Sequence, residues 1–188
     1  MPSLSEPERN ALLHLARRSI ELAVCRERLP EEIPREGIFS ERRGVFVTLH
    51  VCGRLRGCIG MVEPVEPLGE CLVRSAVSAA LQDSRFPPLR AEELPDLVLE
   101  LSLLTPPEPI RQEEIEIGRH GLLISCGLHR GLLLPQVATQ HHLSRERFLE
   151  EACRKAGLPT EAWKDSSTEI RAFTCEIVAE RGEDSSRG

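Results

Sequence analysis

Cys58 stands between two glycines in Leu55-Arg56-Gly57-Cys58-Ile59-Gly60, with Arg54 and Arg56 just before it. The thiolate is the reactive form of cysteine, and a neighbouring guanidinium favours it. Glycines let a backbone approach a ligand closely. One reading therefore makes Cys58 a nucleophile or a substrate-holding thiol, with Arg56 as an anion clamp. The other has Cys58 alternating into the core of a strand, because free cysteines are among the most buried residue types. Spacing alone leaves both open. A nucleophilic cysteine needs a base, and the candidates are His50, His120, His129, His141 and His142. Gly118-Arg119-His120-Gly121 sets polar side chains between glycines just ahead of an apolar run, which favours His120; the alternative is an exposed turn histidine that touches nothing.

Arg85, between Ser84 and Phe86 in a loop stiffened by Pro87-Pro88, is either a second anion binder or a loop arginine satisfying backbone carbonyls. Glu100 lies inside an aliphatic run and would be costly to bury alone, so an arginine partner is expected. His50, Cys52 and Cys58 do not form a recognised metal pattern, there is no CxxC pair, and no metal is expected. Seven scattered cysteines read as reduced thiols rather than a secreted disulfide framework. With 24 basic and 30 acidic residues the net charge is −6, which gives no bulk attraction to phosphate backbones or anionic lipid. Nucleic acid is thus a possible partner that the charge does not favour. Trp163 and five phenylalanines are too sparse for a base-stacking platform. No apolar run approaches the roughly 20 residues that span a bilayer. The start lacks a basic region followed by an apolar stretch, so the expectation is a cytoplasmic protein without membrane association.

These residues need elements to hold them, and a chain of 188 residues with 40% hydrophobic side chains is enough for one domain or two small lobes. Ser5 with Glu8 resembles a capping box, and Leu12, Leu15, Ala16, Ile20 and Val24 recur at helical spacing, predicting a helix over 5–28. Residues 45–51 and 55–60 read as a hairpin around Cys52-Gly53-Arg54. A helix over about 67–82, an irregular proline-bound segment over 83–89 and a buried strand over 97–104 follow. A second hairpin pairs 121–125 with 131–134, and a short helix begins at Pro135. Ser144 caps another helix that Gly157 ends, and a last strand covers 169–178. Helices mixed with hairpins predict the α+β class with a largely antiparallel sheet.

Read together, the hexapeptide, Asp83-Ser84-Arg85-Phe86-Pro87-Pro88, Leu103-Leu104-Thr105-Pro106-Pro107-Glu108, the 118–121 turn, Gly131-Leu132-Leu133-Leu134-Pro135-Gln136-Val137 and Lys155-Ala156-Gly157-Leu158 resemble the AMMECR domain family over about 8–178. Leu143 departs from the family, whose members usually carry tryptophan there, so no role for that aromatic carries over. The resemblance implies a mixed, antiparallel sheet flanked by helices, in a larger α/β lobe and a smaller lobe with a cleft between. It implies a single such domain over 5–180 and leaves 181–188 as a disordered tail. It makes the hexapeptide the functional element, with Cys58 and His120 as catalytic candidates and Arg56, Gly57, Gly60, Arg85 and Gln136 as substrate-binding ones. A merely packed thiol would seldom need two flanking glycines. Prokaryotic members look like components of the AmmeMemoRadiSam system, which implies Memo-like and radical S-adenosylmethionine (SAM) partners; a Cys58-dependent enzyme, with RNA or nucleoside modification as one such activity, is the alternative. No cofactor is expected in this chain, which has no CxxxCxxC cluster of its own.

Overall fold

The computed structural model describes residues 4–30, 32–63 and 66–180. The expected tail at 181–188 lies outside the described residues. The chain divides into two compact units, Met1–Leu103 with Glu176–Gly188 and Leu104–Cys175. The α+β expectation is met in both.

The first unit opens with α1 (Glu6–Val24), at whose start the Glu8 carboxylate accepts from the N–H and hydroxyl of Ser5 at 2.9 and 2.6 Å. The helix ends four residues before the predicted 28. Arg26 takes φ 58°, and Glu27 N–H reaches back to the Leu22 carbonyl while Arg26 N–H reaches that of Ala23. That is a Schellman closure with arginine where glycine is usual, which no sequence signal announces. β1 (Gly44–Val51) and β2 (Arg54–Met61) pair antiparallel across the two-residue loop Cys52-Gly53. Both loop residues have positive φ, 50° and 72°, as a type I′ turn requires. α2 (Leu68–Leu81) follows, then β3 (Leu97–Leu104). The strand order here is β2-β1-β3 and then the end of β7 (Glu169–Ala179). Along β1, Val45, Val47 and Leu49 are fully buried, whereas Phe46, Thr48 and His50 are not. The buried row joins Leu12, Ala16 and Ile20 of α1, Leu72 and Ala76 of α2, and Leu99 and Leu101 of β3 in one core. Period-two and period-3.6 apolar faces meet there, so both helices lie on one side of these strands.

In the second unit β4 (Glu108–Pro109) pairs with β7, and β5 (His120–Cys126) lies antiparallel between β7 and β6 (His129–Leu133). The β5–β6 loop is only Gly127-Leu128, tighter than the five-residue turn expected. α3 (Pro135–Gln140) and α4 (Arg145–Lys155) follow as predicted. Phe148, Leu149, Ala152 and Cys153 of α4 close a core with Leu122, Ile124 and Ala138. Glu100, expected to find an arginine, is half-buried with no such partner among the described residues. No helix among the described residues is long and apolar enough to cross a membrane.

Candidate functional site

Cys58 lies in β2, the outermost strand of the first unit's order, opposite Thr48 of β1. Its N–H donates to Asp83 Oδ2 at 2.8 Å, and its carbonyl accepts from Arg85 Nη2 at 3.2 Å. Both backbone groups therefore point away from β1. In an antiparallel ladder that makes Thr48 and Cys58 a non-hydrogen-bonded pair, the kind whose side chains approach most closely. The Thr48 hydroxyl accordingly donates to Cys58 Sγ at 3.3 Å. The thiol is half-buried rather than packed in the core, a place taken by Cys71 and by Cys153, whose pKa burial pushes up.

Asp83 holds this arrangement together. Its side chain is only 6% exposed and accepts from the Cys58 N–H, from Arg85 Nε and Nη2 at 2.9 and 2.7 Å, and from the Arg85 N–H at 3.2 Å. The Arg85 guanidinium is the main cause of a carboxyl pKa far below the usual range. The same pairing raises the pKa of Arg85, with a smaller contribution from Cys58. Arg85 is 54% exposed, its guanidinium lies 5.4 Å from the Phe86 ring centre, and its Nη1 has no partner among the described residues. Neither Asp83 nor Glu93 was singled out from sequence. For Asp83 a signal existed: an Asp two residues before an Arg is where a side-chain oxygen closes an Asx-turn.

Arg56, expected as an anion clamp, is instead fully engaged. The β1–β2 register slips between Leu49 and His50, so β2 carries an extra residue there, and a bulge of this kind re-aims a side chain. Arg56 donates from Nε and Nη2 to the two carboxylate oxygens of Glu93 at 2.7 and 3.0 Å, and from Nη1 and Nη2 to the Pro87 and Pro88 carbonyls at 2.7 and 3.2 Å. It pins the proline loop to the strand. Beside it an open depression of about 590 Å³ is lined by Arg56, Pro87, Arg90, Glu92 and Glu93. Packing accounts for the glycines: a Cβ on Gly57 would overlap the Ala79 carbonyl of α2, and one on Gly60 would overlap the Val45–Phe46 backbone. Close contact between elements is enough to require both.

His120 and Gln136 belong to the second unit. His120 Nδ1 accepts from the Glu116 N–H at 3.1 Å, which in the neutral ring leaves the proton on Nε2. The Gln136 side-chain oxygen is buried without a hydrogen-bond partner. His50, the base candidate in the same unit as Cys58, makes no hydrogen bond to its sulfur. No cluster of three or more potential metal ligands occurs among the described residues.

The AMMECR1 family model matches residues 13–178 of this chain. A protein of Methanothermobacter thermautotrophicus is 46% identical over 95% of this chain and 97% of its own length. Protein TK0174 of Thermococcus kodakarensis is 44% identical over 90% of this chain and 88% of its own. Among solved structures, the uncharacterised protein PH0010 from Pyrococcus horikoshii superposes with a TM-score of 0.82 at 41% identity, covering 92% of this chain and 91% of that one.

Proposed function

The chain belongs to the AMMECR1 family, and from that premise we propose that it is a cytoplasmic component of an AmmeMemoRadiSam-type system. It acts with Memo-like and radical SAM partners through the 55–60 strand, with Cys58 as the reacting group. One observation carries this reading: the half-buried Cys58 is held at its N–H by Asp83, at its carbonyl by Arg85 and at its sulfur by Thr48. The two backbone contacts fix the strand that carries the thiol, and the Thr48 hydroxyl addresses the sulfur itself, which a thiol meant only to fill space does not need. Positioning of this kind is what a nucleophile requires, because misplacement by about 1 Å can cost about a hundredfold in rate. A pure docking role, in which the arginines clasp a partner's carboxylate, fits less well, since Arg56 and Arg85 each already hold a carboxylate with two nitrogens. RNA or nucleoside modification stays the substrate alternative, which a net charge of −6 does not favour. His120 and Gln136 are proposed ligand-contacting residues of the second unit, His120 through Nε2.

The test is site-resolved alkylation with iodoacetamide, followed by mass spectrometry. Cys58 is expected to label faster than the exposed Cys25 and Cys52 despite its lower accessibility. A Cys58 rate below theirs leaves no activated thiol. Capture of Memo-like and radical SAM proteins by the wild type and by Cys58→Ser checks the partner half of the proposal; loss of capture only on Arg56→Ala would favour docking.

A further inference from the structure

We infer that the molecule meeting Cys58 is an uncharged electrophile of carbonyl type, not a carboxylate or a phosphate. The inference rests on the reading of Cys58 as the reacting group and adds the substrate class. Arginines around a cysteine suggest an anion, but here each guanidinium is already neutralised by its own carboxylate: Arg85 by Asp83 through Nε and Nη2, and Arg56 by Glu93 through Nε and Nη2. The neighbouring depression repeats the balance, with Arg56 and Arg90 set against Glu92 and Glu93.

An arriving anion would meet two closed ion pairs, whose fields largely cancel beyond contact distance. It would gain a full positive charge only by displacing Asp83. That carboxylate is 6% exposed and accepts four hydrogen bonds, so leaving it unpartnered would cost more than an exposed replacement contact returns. What the site still offers is the unengaged Nη1 of Arg85, a donor of an already compensated guanidinium and suited to a carbonyl oxygen, while the Thr48 hydroxyl stays committed to the sulfur. Addition there balances without an outside reagent. The sulfur lone pair forms the C–S bond, the carbonyl π pair moves to oxygen, and the thiol proton ends on that oxygen.

The probes are iodoacetamide and iodoacetate, which alkylate by the same iodide displacement and differ in charge. Rates at Cys58 in the full chain are compared with those of N-acetylcysteine amide. The expected result is an amide-to-acetate rate ratio equal to or above that of the reference and little changed by salt. Asp83→Asn, which leaves Arg85 uncompensated, is expected to shift the ratio toward iodoacetate about three- to tenfold, and Arg85→Gln to shift it the other way. A wild-type preference for iodoacetate more than about threefold above the reference would overturn the inference while sparing the Cys58 reading. Failure of both reagents at Cys58 would overturn both. The wild-type ratio decides the matter even if a variant fails to fold.

Discussion

Asp83 combines two tasks: it seals the backbone of Cys58 and fixes the guanidinium beside it. Sequence reading reached Cys58 and Arg85 but not Asp83, because a side chain bonded to a strand 25 residues away leaves no periodic trace. For the glycines the structure supplies a second reason beside the expected approach of a ligand: neighbouring backbone occupies the place of a Cβ at Gly57 and Gly60. This gives a prediction: Gly57→Ala, which drives a methyl into the Ala79 carbonyl, should lower stability by about 1–3 kcal/mol as overpacking does, read as a shift in the urea midpoint. Gly53→Ala at φ 72°, with no atom within 4 Å of the new Cβ, should cost only backbone strain, about 1–2 kcal/mol. An unshifted midpoint for Gly57→Ala would mean that β2 and α2 are not in contact at that point.

Between β2 and the proline loop, Arg56 is the connecting element. Replacing it by Met keeps the aliphatic stem but removes four hydrogen bonds and strands Glu93 without its main partner. Arg56→Met should therefore raise amide hydrogen exchange over 86–96, with a stability loss of about 1–3 kcal/mol, while α1 exchanges as before. Unchanged exchange in the loop would show that the prolines alone hold it. At this scale most elements were legible, since apolar periodicity marks α1, α2, α4 and the hairpins within a few residues. The ends of α2, α3 and α4 were legible to within a residue or two, that of α4 because Gly157 (φ 73°) supplies the left-handed residue, whereas Arg26 (φ 58°) closes α1 early with a side chain that gives no warning.

For the molecule as a whole, paired carboxylates set the acid limit. Asp83 and Glu93 have pKa values lowered chiefly by hydrogen bonds from Arg85 and Arg56. A depressed folded value means that their stabilisation is complete above the unfolded values, about 3.9 and 4.3, and is lost as pH falls toward the folded ones. The wild type should thus exceed Asp83→Asn in stability at neutral pH, and the gap should narrow below about pH 4, measured as paired urea midpoints. A gap constant down to pH 2.5 would show that the ionised pair contributes nothing.

The family resemblance and the α+β class were readable from sequence, since ordered motifs and mixed periodicities carry them, while the division of charge into closed pairs was not, because it depends on which residues the folded chain brings together. One consequence concerns crowding. The rail of amides along an outermost strand is where identical chains zip together into fibres, and in this molecule the middle of β2 is stoppered by the same carboxylate and guanidinium that seat the thiol. Any lineage that loosened that grip to change what the sulfur meets would also expose itself to polymerisation.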